Sequence, residues 1–202
     1  MLYHPLAWTY DYVAAVVSVG RWQRWVRSAA DQLSGRRVLE LGYGPGHLQV
    51  FLNQLGYQVF GLDESWQMAH QASRKLLHRG LPCRIGRGLG QRLPYAPDSF
   101  DNVVATFPTQ YIFQPETLSE ITRVLAVHGR LVVLLAAWIT GTGLADRAAA
   151  LLFRVTGQVP QIDEMDEELL GSFERAGLKA KFREIGQAGA KLLFIVAEKA
   201  GG

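Results

Sequence analysis

Val38-Leu39-Glu40-Leu41 is a run apolar but for Glu40 that stops against three glycines at alternate positions, Gly42, Gly44 and Gly46, and a helical pattern starts at once behind them. Glycine is needed where the backbone must turn sharply or pass closer to a neighbour than a Cβ allows. A strand, a tight turn and a helix in that order make one half of a βαβ unit, and its continuation must be a second parallel strand. That strand reads at 57–62, Tyr57-Gln58-Val59-Phe60-Gly61-Leu62, and closes on Asp63. On the glycines alone, an ordinary strand-to-helix turn of some α/β protein is the competing reading.

Asp63 adds context. An acidic residue about 20 positions beyond the first glycine is where a carboxylate would accept from ribose hydroxyls at the carboxyl ends of parallel strands. We expect it to be an exposed strand-end group with little packing. The spacing is Gly-x-Gly-x-Gly, which differs from the Gly-x-Gly-x-x-Gly of dinucleotide-binding turns.

The remaining pattern alternates. Strands are expected at 38–41, 59–62, 83–85 and 101–106, with helices to residue 55, over 65–79 and from Pro115 until His128-Gly129. Pro115 suits a first helical position, where its missing N–H is not needed. Residues 131–139 are continuously apolar, as a central strand buried on both faces requires. The acidic run Asp163-Glu164-Met165-Asp166-Glu167-Glu168 opens a helix, matching the positive end of its dipole. Strands at 179–186 and 191–198 flank a short glycine-containing connection, so the last one runs antiparallel to its neighbour. The expected fold class is α/β, a doubly wound, seven-stranded, mostly parallel sheet with an antiparallel last strand.

Composition narrows the function classes. Of 202 residues, 49% are hydrophobic and 19% charged, ordinary for one soluble domain. The net charge of +3 comes from scattered basic residues. Trp22 and Trp25 interleave with Arg21, Arg24 and Arg27, but that spacing is also an amphipathic helix with its tryptophans inward, so packing is favoured over nucleic acid. Cys83 is the sole cysteine and the five histidines lack metal-ligand spacing, so no metal site and no internal disulfide are expected. A spanning helix needs about 20 apolar residues and no signal-peptide pattern is visible, so a cytoplasmic location is expected. A transient membrane contact through Trp8 and an apolar helix at 144–155 is left open, with a lid packed on the domain the favoured role. The oligomeric state is not legible.

Three segments together resemble a known group. The Gly42–Gly46 turn resembles motif I of class I S-adenosylmethionine-dependent methyltransferases. Asp63-Glu64-Ser65-Trp66-Gln67-Met68 resembles their Asp-x-Ser-x-x-Met segment, and Gly88-Leu89-Gly90-Gln91-Arg92-Leu93-Pro94-Tyr95, followed by Ser99-Phe100-Asp101, resembles a third segment of the ubiquinone/menaquinone C-methyltransferase group. The resemblance spans residues 38–136, and Tyr10-Asp11 with 17–25 resembles that group's N-terminal helix. It implies a Rossmann-like methyltransferase fold and S-adenosyl-L-methionine as cofactor. The implied cofactor contacts are Glu40, Gly42, Tyr43, Gly44, Gly46, Asp63, Glu64, Met68, Gly88, Leu89, Gly90, Thr106 and Phe107. Tyr10, Phe107, Thr109 and Tyr111 would face the substrate.

Two departures matter. Leu89 stands where the group has an aspartate accepting from the adenine amino group, and the surroundings expected for it are Ile85, Leu93 and Phe100. Phe107-Pro108-Thr109-Gln110-Tyr111 lacks the group's arginine–asparagine pair after the fourth strand. The reading is therefore methyl transfer to a small, largely apolar acceptor (quinol-, phenol- or lipid-like), with a catalytically silent cofactor-binding or interaction module as the alternative. No catalytic residue is assigned. His4, Tyr10, Tyr12 and Tyr111 are candidate bases, each more readily an aromatic packing group. One domain is expected over 1–202: a helical cap at 1–35, a cofactor-binding core at 36–139, a lid at 140–161 and a C-terminal helix and hairpin at 162–202.

Overall fold

A computed structural model describes residues 21–140, 162–187 and 189–201. Its centre is a seven-stranded sheet in the order β3-β2-β1-β4-β5-β7-β6. The strands are β1 Arg37–Leu41, β2 Gln58–Asp63, β3 Ile85–Arg87, β4 Phe100–Thr106, β5 Leu125–Ile139, β6 Leu178–Gln187 and β7 Ala190–Lys199. β3, β2, β1, β4 and β5 pair in parallel, and β7 is antiparallel to both neighbours. The described helices are α1 Trp22–Arg27, α2 His47–Gln54, α3 Trp66–Leu77, α4 Pro115–Val124 and α5 Ile162–Arg175. This is the expected fold class.

Period-2 alternation along the central strands feeds two cores. Leu39, Leu41, Val103, Ala105, Leu131 and Val133 point to one face, where they meet Leu118 and Ile121 of α4 and Phe173 of α5. Val38, Val104, Val132, Leu134 and Phe194 point to the other, against Trp25, Val26, Leu48 and Leu52 of α1 and α2. A strand buried on both faces must be apolar throughout, which is why 131–134 carries no polar residue. Trp25 is buried, and Trp22 stacks on Phe107 with ring centroids 4.2 Å apart, so both tryptophans pack inward.

The start of β1 is clasped to β4. Asp101 Oδ2 accepts from the Arg36 and Arg37 N–H groups at 2.8 and 2.9 Å, and its Oδ1 accepts from Arg37 Nη2 at 2.6 Å. Gly35 at φ +70° lies so close that a Cβ would sit 2.6 Å from Asp101 Oδ2. No side chain fits there.

Most boundaries fall within two residues of expectation, and two differences carry a physical reason. β3 is shifted two residues on from 83–85, leaving Cys83 exposed ahead of it. α4 ends at Val124 and not at 128–129, because Leu125 is fully buried opposite Phe100 and joins the sheet. The chain then bulges, with His128 at φ +62°, before Arg130 resumes pairing with Asn102. Most of the expected cap and lid, including Trp8 and the helix at 144–155, lies outside the described residues.

Candidate functional site

The carboxyl ends of β1, β2 and β4 converge on the glycine turn. Gly42, Gly44 and Gly46 all have positive φ (+68°, +51° and +77°), the left-handed region that side chains resist. The turn is pinned from several sides. Gly42 N–H donates to the Leu62 carbonyl at 2.8 Å, Gly46 N–H to the Tyr43 carbonyl at 3.0 Å, and Lys75 Nζ from α3 to the Pro45 carbonyl at 2.6 Å. Lys75 Nζ also lies 3.4 Å from His47 Nε2, and burial together with this cation holds the imidazole below its ordinary pKa.

The three glycines serve different ends. A Cβ on Gly44 would meet none of the described residues within 4 Å, so this turn is open on their side. On Gly42 it would lie 2.8 Å from the Tyr111 hydroxyl, and on Gly46 2.8 Å from Ala72 Cβ. Gly46 thus lets α2 pack on α3, and its free side faces a helix and not the crevice. Tyr43 also turns away: its ring is buried against Gly61 and its hydroxyl donates to the Gly86 carbonyl at 3.2 Å. Burial and the Asp63 charge push that phenol up to about 12.

Asp63 is half-buried and bonded, which corrects the expectation of an exposed group with little packing. Its Oδ2 accepts from Gly44 N–H and its Oδ1 from Ser65 N–H, each at 2.9 Å. It therefore ties the glycine turn to the start of α3, where Ser65 Oγ caps Met68 N–H at 3.3 Å. Each carboxylate oxygen keeps a lone pair for a further donor. Glu64 is exposed, and its carbonyl accepts from Arg87 Nε and Nη2 at 3.3 Å each.

Glu40 is 2% exposed at the end of β1. Its Oε2 accepts from Gln49 Nε2 at 2.8 Å, and the same amide nitrogen donates to the Phe60 carbonyl at 3.1 Å. Burial, helped by the Asp63 charge and opposed by the Gln49 bond, pushes the Glu40 carboxyl up to about 8. Gln49 was not singled out from sequence. A polar residue between Leu48 and Val50 in an apolar helix is the signal that could have found it.

A Cβ on Gly88 would crowd Leu62 Cδ1 at 3.0 Å, and Gly90 is buried beneath Tyr111 and Thr117. Leu89 is 54% exposed at the mouth, which corrects its expected burial among Ile85, Leu93 and Phe100. Phe100 begins β4 at the opposite end of the sheet. Thr106 is half-buried at the end of β4, and Phe107 follows at φ +50°, a conformation that costs energy for a bulky residue. Its N–H bonds the Leu134 carbonyl at 2.7 Å, which fixes the strained residue against Trp22. Thr109 is exposed, and the Tyr111 hydroxyl is buried over Gly42. Met68 is half-buried on α3. Tyr10, His4 and Tyr12 lie outside the described residues.

The structure thus gathers Gly42, Gly44, Asp63, Glu64, Leu89, Gly90, Phe107 and Tyr111 around one crevice. The carboxylates of Asp63 and Glu64 act together on the Tyr111 phenol and make its surroundings electronegative, which suits a cationic ligand. A groove of about 520 Å³ lined by Arg130, Lys179, Lys181, Arg183 and Glu198 opens elsewhere, where β5 and β6 begin. Ligands of open parallel sheets bind at the carboxyl ends of the strands, so the glycine crevice is the candidate site. Among the described residues no group of three His, Cys, Asp or Glu could hold a metal, and no helix is long and apolar enough to cross a membrane.

A family model described as a methyltransferase domain matches residues 38–129. The chain is 34% identical over 139 residues to a demethylmenaquinone methyltransferase of Thermus thermophilus, covering 66% of this chain and 63% of that protein. It therefore spans about three fifths of the length of such relatives. A methyltransferase structure from Aquifex aeolicus superposes with a TM-score of 0.65 at 17% identity, covering 94% of this chain and 98% of the other. The structure of the cyclase SpnF gives a TM-score of 0.62 at 17% identity, covering 89% and 81%. These two likenesses carry the fold alone. The resemblance to class I methyltransferases near the quinone C-methyltransferase group holds in the relatives as it does in the motifs.

Proposed function

We propose that this chain, whose core is a methyltransferase domain of class I fold, binds S-adenosyl-L-methionine and transfers its methyl group to a small, largely apolar acceptor. The observation that carries this reading is the turn at Gly44. Its Cβ direction meets no described residue, its N–H is held by Asp63, and the crevice beside it is electronegative. A sulfonium cofactor supplies the electrophilic methyl, and the protein's part is to bind and align the partners, which can contribute roughly 7–11 kcal/mol.

In this reading Asp63 offers its remaining lone pairs to the ribose hydroxyls, while Gly42 and Gly44 let the backbone pass close beneath the amino-acid part. Glu64, Met68 and Leu89 border the adenine, and Thr106 and Phe107 close the β4 side. Phe107 and Trp22 form an aromatic wall that suits a flat, apolar acceptor, and the demethylmenaquinone methyltransferase relatives support a quinol-like one. Tyr111 is not the base. Burial and the neighbouring carboxylates raise its pKa far above the physiological range, so it keeps its proton. We read residues 1–202 as one domain with its cap at 1–35 and lid at 140–161.

A second reading, a cofactor-binding module without transfer, is favoured by Leu89, which offers no acceptor at the adenine edge. Fold does not dictate chemistry on such a scaffold. Calorimetry with S-adenosylmethionine, S-adenosylhomocysteine and NADH, followed by a methyl-transfer assay on demethylated naphthoquinols and phenols, tests both. Binding of the two sulfur ligands with transfer is the expected result. Binding without transfer to any acceptor supports the module, and silence toward both sulfur ligands removes the reading altogether.

A further inference from the structure

The Tyr111 hydroxyl is buried and has no hydrogen-bond partner among the described residues. Tyr111 lies in the 3₁₀ turn Gln110–Phe113 behind β4, and its Oη approaches to 2.8 Å of where a Cβ on Gly42 would stand. On its other side the ring packs over Gly90, whose Cβ position lies 3.3 Å from Tyr111 Cδ2. The phenol thus bridges the two glycine-containing walls of the crevice, with its polar atom on the floor.

A buried hydroxyl without a partner lowers stability, and a phenylalanine would fill the same space without that cost. Unpaired polar atoms in native proteins are concentrated where a ligand completes them. The Asp63 and Glu64 carboxylates bear on this phenol, so its oxygen stands in a negative field that repels an anionic partner and favours a cationic one.

We propose that the Tyr111 hydroxyl is a ligand-binding group, whose oxygen accepts from the ammonium of the cofactor's amino-acid end where it crosses Gly42. This rests on the reading that the crevice holds an S-adenosyl cofactor. It makes the 3₁₀ turn a specificity element that recognises the amino-acid part and is indifferent to the nucleoside.

The test pairs affinity with ligand-free stability in wild type and Tyr111→Phe. Two probes are used: S-adenosylhomocysteine, which has the ammonium, and 5′-methylthioadenosine, which lacks the amino-acid end. The variant should bind S-adenosylhomocysteine about ten- to 150-fold more weakly, as loss of one hydrogen bond to a charged group predicts. Its affinity for 5′-methylthioadenosine, measured by competition, should be unchanged. Without ligand its Tm should rise by about 2–4 °C, the relief of one unsatisfied hydroxyl in a chain of this size. Equal weakening toward both probes, unchanged affinity for S-adenosylhomocysteine, or a lowered ligand-free Tm would each overturn the proposal. Wild type that bound neither probe would overturn the reading of the crevice as well, so the two failures are distinguishable.

Discussion

Glu40 and Gln49 form a buried pair in which burial outweighs the Gln49 bond and favours the protonated carboxyl. Gln49 Nε2 must face both the Glu40 carboxyl and the Phe60 carbonyl, because a flipped amide would set oxygen against oxygen. Gln49 Oε1 is then a buried acceptor without a donor among the described residues. With the Glu40 carboxyl raised from 4.5 to about 8, the folded protein keeps a proton that the unfolded chain has shed across that window. Stability is therefore lost as pH rises from about 4.5 to about 8, and levels off beyond. Glu40→Gln makes the neutral form permanent. The variant and wild type should melt together near pH 4.5, with the variant ahead by ~4–5 kcal/mol at pH 8; parallel melting curves across the range would refute the protonated pair. Leu89 carries a second prediction. At 54% exposed it can be replaced by aspartate with the new carboxylate in water, so Leu89→Asp should fold normally. It should bind S-adenosylhomocysteine about three- to ten-fold tighter by restoring an acceptor to the adenine edge. A weaker complex by titration would mean that the apolar rim itself grips the base.

At the scale of elements, the glycine turn was legible because its requirement is conformational and only glycine meets it cheaply. Spacing alone did not show which way each residue looks. Tyr43 and Gly46 sit in the same motif as Gly44, yet one lines the β2–β3 side and the other the α2–α3 contact. Those directions follow from the positive φ angles at 42, 44 and 46, which break the regular alternation of a strand. Asp63 was placed correctly at the end of β2, but its bonds to Gly44 and Ser65 depend on partners brought together by the fold. The end of α4 was missed because Leu125 satisfies helical periodicity and sheet burial equally, and pairing with Phe100 decides the matter. Gly44→Val tests the turn. Its φ of +51° strains a branched residue by about 1–3 kcal/mol, and its open Cβ direction puts the new methyls in the crevice. Affinity for S-adenosylhomocysteine should fall more than 100-fold by calorimetry, while the far-ultraviolet circular dichroism stays that of wild type. Undiminished affinity would mean that the ligand lies elsewhere.

For the whole molecule, alternating strands and helices were enough to read a doubly wound sheet, and the short connection before Ala190 was enough to read its one reversed strand. The placing of β7 between β5 and β6 was not in that pattern, because neighbourhood in a sheet is decided by which edges remain unpaired. That arrangement also puts the crevice over the middle of the sheet: β1 pairs with both β2 and β4, and residues on both faces of these strands belong to the two cores. A ligand held there touches elements that cannot open while the core stays closed. Its binding free energy should therefore appear in global unfolding and not in a local opening. With free S-adenosylhomocysteine at 100 times its dissociation constant, the linkage contribution is about 2.7 kcal/mol. For a chain of this size that corresponds to a rise in Tm of about 5–11 °C. The shift should grow with the logarithm of ligand concentration, disappear in Gly44→Val, and be absent with NADH. Scanning calorimetry at several ligand concentrations reads it directly. A transition that split in two, with only one part moving, would place the crevice on a unit that unfolds apart from the rest of the sheet.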